Sequence, residues 1–556
     1  MALSRAGTAI AALGELVLGA RAPAVRLIPL RWVQGPAGGE PAQENVVRIP
    51  RALQLRLARE SSRRRREAPV VPIRTGKLLL RSRRPQLSQP RRVTVGRWER
   101  PLLVSAGWKH SRSHGDYFQL ERSQEQAPAL ALQRAPAAGI DGSFQALGLE
   151  PVLISALQTL SISQPTAVQR RAIPALLRGT NALCAAETGS GKTLAYLLPL
   201  FQTLLSRPSQ RLSSSPSPRS LVLLPSRELA EQVHTVAVSL GRSLGLRVLE
   251  IGGGRGMGSV KKQLHSDLDA DLLVATPGAL CKALRKQMVR LERLCWLVLD
   301  EADTLLDPTF LDLVEEVLMQ VPIAHSPQEV ANQWDVKAQL VVIGATFPEG
   351  LGQLLSKVTD LGSFATLTSK TLHHLLPHIQ QKFIRLKGSD KVAELLELLK
   401  DRGPSSGAIL IFCNSASTVN WLGYILDDHR IQHLRLQGQM PAAMRVGIFN
   451  TFQKGKKDVL ICTDLASRGL DTSRVELVIN YDFPSTLPDY LHRVGRVGRV
   501  GSKMPGTVIS FVTHPWDVDL VRKIETAARK RTSLPGMESA IKEPLPKTDT
   551  TQTDEQ

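Results

Sequence analysis

Aromatic residues make up only 4% of this 556-residue chain. That leaves little material for an array of stacked bases, so a nucleic-acid partner would be gripped through phosphates and 2′-OH groups, with poor sequence selectivity. Cysteine is scarcer still: Cys184, Cys281, Cys295, Cys413 and Cys462 are the five. They lack paired metal-ligand spacing and lie mostly in apolar strand-like runs, which reads as reduced core thiols rather than a zinc site or a disulfide framework. No apolar run approaches the length needed to span a bilayer, so no membrane insertion is expected. The chain also shows no internal sequence repeat.

Acidic residues are short overall and nearly missing at the start. The net charge is +21, and residues 1–100 hold 21 Lys and Arg against 6 Asp and Glu. An excess of this sign calls for a polyanionic partner. Residues 1–34 carry four arginines and one acid, Glu15, within an Ala- and Leu-containing stretch that reads as a mitochondrial transit segment. Glu15 interrupts the apolar core that a secretory signal needs. Arg63–Arg66 offer a competing address, nuclear import. With Arg81, Arg83, Arg84, Arg91 and Arg92, that run reads equally as a solvated, disordered tail or as an RNA-gripping arm.

What is present in quantity is apolar material, 42% of residues. It falls into short runs at crossover spacing: Leu221–Leu224, Leu272–Ala275, Leu340–Ile343, Ala408–Ile411 and Val459–Cys462. Runs too short for helices, separated by helical patterns, indicate buried parallel strands in α/β lobes. Loss of the pattern near Thr366–Ser369 marks a hinge. Ser206–Pro216 and Ala324–Ala338 read as surface insertions.

Three segments carry chemistry. Ala186-Glu187-Thr188-Gly189-Ser190-Gly191-Lys192-Thr193 follows a strand-like run and precedes a helical one. Such a loop turns backbone N–H groups around phosphate oxygens at a helix N-terminus. Lys192 is placed to neutralise the β and γ phosphates of ATP, and Thr193 to hold Mg²⁺; Ala186 stands where the strict pattern has Gly. Asp300-Glu301-Ala302-Asp303 ends the run Trp296–Leu299 and supplies a carboxylate for Mg²⁺ and a base for the attacking water. Far downstream, His492-Arg493-Val494-Gly495-Arg496-Val497-Gly498-Arg499 is a bank of arginines. Phosphoryl transfer asks mainly for positioning and charge neutralisation, so Arg496 and Arg499, brought from a separate lobe, suit arginine fingers.

In this order the segments resemble the DEAD-box RNA helicases, from about Phe144 to Thr513. Ser161–Gln169 resembles the adenine-reading motif of that family, with Gln169 pairing with adenine and Phe144 stacking on it. Pro225, Arg227, Gly252-Gly253 and Thr276-Pro277-Gly278 resemble its RNA-backbone contacts in the first lobe. Ile411–Asn414 and Thr463–Asp471 follow in the second, where the resemblance gives Thr463 and Arg468 to RNA and Asp471 to ATP. His492 and Arg493 would bridge toward the acidic tetrad and the coupling motif. That motif, normally Ser-Ala-Thr, reads Gly344-Ala345-Thr346, so one hydroxyl is absent and coupling is expected to be looser. Ala279 replaces the usual Arg after Gly278, Gln437 and Gln439 replace His and Asp, and Ala442 replaces Gln ahead of Arg445.

The resemblance implies two tandem RecA-like lobes with parallel sheets. The expected organisation is a transit-like segment 1–34, a basic disordered N-terminal extension 35–140, an ATP-binding lobe 141–365, a linker 366–380, a C-terminal lobe 381–530 and a polar tail 531–556. The implied activity is ATP-dependent local opening of structured RNA by a monomer, with ATP and Mg²⁺ as cofactors. In mitochondria the structured RNAs are chiefly ribosomal, which points to rRNA remodelling during ribosome assembly, with assembly or RNA-granule proteins as partners. A competing reading is an ATP-gated RNA clamp that hardly unwinds.

Overall fold

The computed structural model describes residues 71–72, 78–89, 93–95, 100–122, 143–207, 217–252, 270–332, 335–347, 350–369, 372–376, 378–400, 407–464, 472–498 and 506–537. The transit-like segment and Arg63–Arg66 lie outside them.

Among the described residues, the first lobe is built on seven parallel strands. From edge to edge they run Ala365–Thr368, Ala182–Ala185, Gln339–Gly344, Trp296–Leu299, Ser220–Leu223, Leu272–Ala275 and Val248–Ile251. The five central strands are buried along their whole length, because helices cover both faces and every side chain then faces apolar neighbours. This is why they read as unbroken Leu/Val/Ile runs rather than as alternating ones. The segment 324–338, expected on the surface, is partly packed: Val330 and Ala338 are buried, and Asn181 donates to the Ala324 carbonyl at 2.7 Å.

The second lobe repeats the plan. Leu434–Leu436, Val459–Cys462, Ala408–Phe412, Val475–Asn480, Thr507–Val512 and Gln380–Arg385 are parallel neighbours in that order. Two further strands extend the sheet antiparallel, and they come from the N-terminal region: Tyr117–Arg122 pairs with Gln380–Arg385, and Leu78–Ser82 pairs with Tyr117–Arg122.

Residues 78–89 and 100–122 therefore do not belong to a disordered extension. Phe118 stacks on Phe383 at 4.7 Å, and Trp108, fully buried, donates from Nε1 to Asp116 at 3.0 Å. Glu525, buried in the helix Pro515–Lys530, accepts from Val104 N, Ser105 N and Ser105 Oγ at 2.8, 3.0 and 2.6 Å. Of the arginines that suggested a solvated arm, Arg81, Arg83 and Arg84 are surface members of this addition: Arg81 alternates with buried Leu80 and Ser82, Arg83 donates to the Gly115 carbonyl, and Arg84 pairs with Asp116, while Arg91 and Arg92 lie outside the described residues. Successive side chains of a strand point to opposite faces, so Arg81 can face water between two buried neighbours.

Two boundaries move as well. Ala365–Thr368 is an edge strand of the first lobe, so the connection between lobes begins at Ser369. At the other end Leu534 and Met537 are buried, so the polar tail starts beyond them.

Candidate functional site

The strands Ala182–Ala185, Gln339–Gly344 and Trp296–Leu299 are adjacent, and their C-terminal ends deliver the phosphate loop, the coupling segment and the acidic tetrad side by side. In parallel α/β sheets ligands bind at this edge. The loop 186–191 leads into the helix Lys192–Ser206 with Gly189 and Gly191 at φ +74° and +91°. Ala186 takes no such left-handed conformation; it is buried and donates its N–H to the Gly344 carbonyl at 3.2 Å, so its departure from Gly costs the loop nothing. Ser190 Oγ donates to the Glu187 carbonyl, and Lys192 Nζ donates to the Ala186 carbonyl at 3.1 Å, which holds the ammonium over the loop.

Gln169 is 2% exposed and belongs to a capping box at the start of the helix Ala167–Leu177. Its Oε1 accepts from Thr166 N and its Nε2 donates to the Gly191 carbonyl at 3.0 Å, which joins it to the phosphate loop. One N–H and one lone pair of the amide remain for an adenine edge. Phe144 lies in the apolar core of the lobe at 3% exposure.

Asp300 is buried. Tyr196, on the phosphate-loop helix, donates its hydroxyl to Oδ2 at 3.0 Å, and Glu301 donates its N–H to Oδ1 at 2.9 Å. Burial first, then the neighbouring Glu301, push the Asp300 carboxyl above the usual carboxylate range, against the pull of Lys192. Glu301 has φ 53°, a strained conformation for a residue with a side chain and one that concentrates at functional sites. Burial would raise Asp303 too, but His492, Lys192 and Thr346 outweigh it and hold that carboxyl below its ordinary range. Thr346 Oγ1 donates to Asp303 Oδ2 at 3.0 Å, and His492 Nε2 lies 2.8 Å from the same oxygen.

That last contact crosses between the lobes, since His492 is on the helix Leu487–Val494 of the second. Three residues on, Gly495 lies so close to the phosphate loop that a Cβ there would fall 1.5 Å from Thr188 Oγ1, which only glycine permits. Arg496, 1% exposed, is fixed in the same turn by an Nε bond to the His492 carbonyl. Arg493 does not bridge to the tetrad. Its guanidinium forks onto both oxygens of Asp464 at 2.7 and 2.6 Å, donates to Asn414 and the Asp482 carbonyl, and covers the Phe412 ring. It is a buried strut of its own lobe, because four of the five donors of a planar guanidinium are spent on this acceptor set.

The coupling segment departs from expectation. The missing hydroxyl at Gly344 does not free the tetrad, since Thr346 holds Asp303. A Cβ at Gly344 would lie 2.7 Å from the Thr346 carbonyl oxygen, so the glycine allows a tighter turn.

The residues matched to RNA contacts sit on the same edges of both sheets. Pro225 and Arg227 follow Ser220–Leu223, Thr276, Pro277 and Gly278 follow Leu272–Ala275, and Thr463 follows Val459–Cys462. Next to Arg227, the buried Glu228 reaches Arg445 of the second lobe at 3.2 Å. Gly253, Arg468, Asp471 and Arg499 lie outside the described residues. Sequence reasoning missed Tyr196, the lobe-joining role of Glu228, and linker contacts from Ser369, His373 and His378. Tyr196 at least was findable, on the helix after the phosphate loop.

A phosphate loop, a dry acidic cluster and an opposing arginine-bearing helix, split over two parallel-sheet lobes, define a two-lobed nucleoside triphosphatase. The chain belongs to the DEAD-box family of ATP-dependent RNA helicases. Residues 166–354 match the DEAD/DEAH box helicase family and residues 390–501 the helicase conserved C-terminal domain. The chain is 60% identical over 509 residues to probable ATP-dependent RNA helicase DDX28 of Mus musculus and to that of Homo sapiens, covering 90% of this chain and 93% of each relative. Among solved structures, Saccharomyces cerevisiae Dbp5 bound to RNA and ADP BeF3 is similar with a TM-score of 0.59 and 27% identity, over 70% of this chain and 94% of that one. Mss116p bound to ssRNA and AMP-PNP shares the fold, with a TM-score of 0.60 and 23% identity over 71% of this chain and 79% of its own.

Proposed function

We propose that this helicase opens short stretches of structured RNA by closing its two lobes on ATP and RNA, and releases the strand on hydrolysis. The observation that supports this most strongly is the meeting of the second lobe with the phosphate loop and the tetrad, through Gly495 on Thr188 and His492 on Asp303. A site completed only by lobe contact ties hydrolysis to closure. In this reading the loop 186–191 cradles the phosphates, Lys192 neutralises them, Gln169 and Phe144 hold the adenine, and Asp471 assists from the second lobe. Glu301 orients and deprotonates the attacking water. Arg496 and Arg499 supply positive charge to the transferring phosphoryl, an effect worth about 10³–10⁵ in rate.

The residues present fit a divalent cation. Asp300 is a buried carboxylate beside Glu301, an arrangement that a bound cation relieves, and its oxygens suit a hard metal. Thr193 and Asp300 would hold Mg²⁺, which would neutralise phosphate charge when bound. Pro225, Arg227, Gly253, Thr276, Pro277, Gly278, Thr463 and Arg468 form the RNA track, gripping phosphates and 2′-OH groups. The net charge of +21 suits such a partner.

The acid-poor Arg-containing segment 1–34 supports delivery to the mitochondrial matrix, and structured rRNA during ribosome assembly is the substrate class this location favours; Arg63–Arg66 provide a route to the nucleus. Release of a labelled short RNA duplex, with ATP and with a non-hydrolysable analogue, tests the activity. ATP-dependent release supports strand separation, whereas ATP hydrolysis with persistent RNA binding and no release establishes the clamp. Deleting 1–34 should move the protein out of mitochondria, and an unchanged mitochondrial signal overturns that address.

A further inference from the structure

The connection between the lobes touches the phosphate loop, the coupling segment and the arginine-bearing segment. Ser369 Oγ donates to Glu187 Oε1 of the phosphate loop at 2.8 Å. His373 Nε2 lies 3.0 Å from the Ala345 carbonyl of the coupling segment, and His378 Nε2 lies 2.9 Å from the Gly498 carbonyl in the arginine-bearing segment. A carbonyl only accepts, so in both histidines Nε2 is the protonated nitrogen.

His373 is the most constrained of the three. Its side chain is 3% exposed and reaches into the first lobe, where Ala345 is 5% exposed, so the bond is dry and unscreened. Its backbone carbonyl accepts from Leu534 N at 2.9 Å, in the C-terminal segment of the second lobe. The residue thus joins one lobe through its imidazole and the other through its main chain. The flanking residues divide the same way: Leu372 packs against the first-lobe core, and Leu375 and Leu376 against that of the second. The φ of His373 is 61°, a conformation few side-chain-bearing residues adopt, although histidine is enriched among those that do.

Resting on the ATP-driven closure proposed above, we propose that His373 is a positioning residue for the coupling segment. It ties the linker to the turn that Gly344 permits, through the Ala345 carbonyl. Ala345 is adjacent to Thr346, whose hydroxyl holds Asp303 opposite His492. Fixing the Ala345 carbonyl fixes the turn, and the turn sets the Thr346 hydroxyl. Lobe closure is then felt at the tetrad by two routes, directly through His492 and indirectly through the linker.

The test compares full-length wild type with His373→Phe, which removes the donor while keeping a flat ring, and His373→Gln, whose amide nitrogen reaches the same point. Both carry a similar backbone penalty, so they separate hydrogen bonding from strain. RNA-stimulated kcat, KM for ATP, duplex released per ATP and the unfolding midpoint are measured for each. The expected result is a fall in kcat and in duplex release of about five- to tenfold for His373→Phe, the size of one buried hydrogen bond, with KM unchanged. His373→Gln should recover most of it. Wild-type kcat in His373→Phe overturns the proposal, and so does equal loss in both variants. If wild type hydrolyses ATP without releasing duplex, strand separation fails, while the kcat comparison still decides the role of His373.

Discussion

Gly344→Ser inserts the hydroxyl that the family resemblance leads one to expect at the coupling segment, and the structure predicts that it harms the enzyme. The added Cβ would stand 2.7 Å from the Thr346 carbonyl oxygen, with the Phe347 ring at 3.3 Å, whereas ordinary contact begins at 3.4 Å. The Thr346 backbone would have to withdraw by up to about 0.7 Å. Its side chain rides on that backbone and donates to Asp303 at 3.0 Å, near the long end of a good bond, so the shift breaks it. Overpacking costs about 1–3 kcal/mol, and a lost bond to a charged group about 1.5–3 kcal/mol. One new hydroxyl bond returns about 0.5–1.5 kcal/mol. The balance is a loss of about 1 kcal/mol or more, roughly fivefold or more in rate if it falls on the closed state. Steady-state RNA-stimulated ATPase and duplex release are the assays, with ATP binding measured separately. Turnover equal to or faster than wild type would refute the steric argument and restore the view that the missing hydroxyl loosens coupling.

Lys192→Ala should abolish ATP turnover while the protein stays folded and keeps basal RNA affinity; hydrolysis near the wild-type rate would remove Lys192 from the site. Glu301→Gln should bind ATP and accumulate in an RNA-bound state, measured by slow dissociation from labelled RNA, and loss of nucleotide binding would make Glu301 structural instead. Glu525→Ala leaves Arg529, 2.8 Å away, buried without its carboxylate and frees the backbone at Val104 and Ser105. It should destabilise the fold by about 3–5 kcal/mol, with earlier proteolysis within residues 100–116; a wild-type denaturation midpoint would contradict the docking described. Glu228→Gln removes one charge of the lobe-joining pair with Arg445 and should weaken ATP-dependent RNA binding while basal, RNA-free hydrolysis is spared, an outcome read by RNA titration with and without nucleotide.

The strands of both sheets were legible because burial on two faces leaves an uninterrupted apolar run, as in Leu221–Leu224 and Val459–Cys462. The phosphate loop and tetrad were legible because local backbone geometry carries their chemistry. What depends on distant partners was not. Leu78–Ser82 and Tyr117–Arg122 add to the second-lobe sheet only through the distant strand Gln380–Arg385, so nothing local to Arg81 and its neighbours revealed them as strands. Arg493 is spaced like its fellow arginines, and only the fold turns it onto Asp464. Ala365–Thr368 lacks the buried pattern because it is an edge strand, half-exposed, and so resembled a hinge.

The proposed function requires one ATPase site assembled from two lobes. Arg496→Ala tests it most directly, by comparing equilibrium ATP binding with RNA-stimulated single-turnover hydrolysis in protein shown to be folded by its unfolding midpoint. Near wild-type binding and hydrolysis slower by about 10³-fold or more are expected. Hydrolysis at the wild-type rate in the folded variant would place the whole of the chemistry in the first lobe and contradict that assembly.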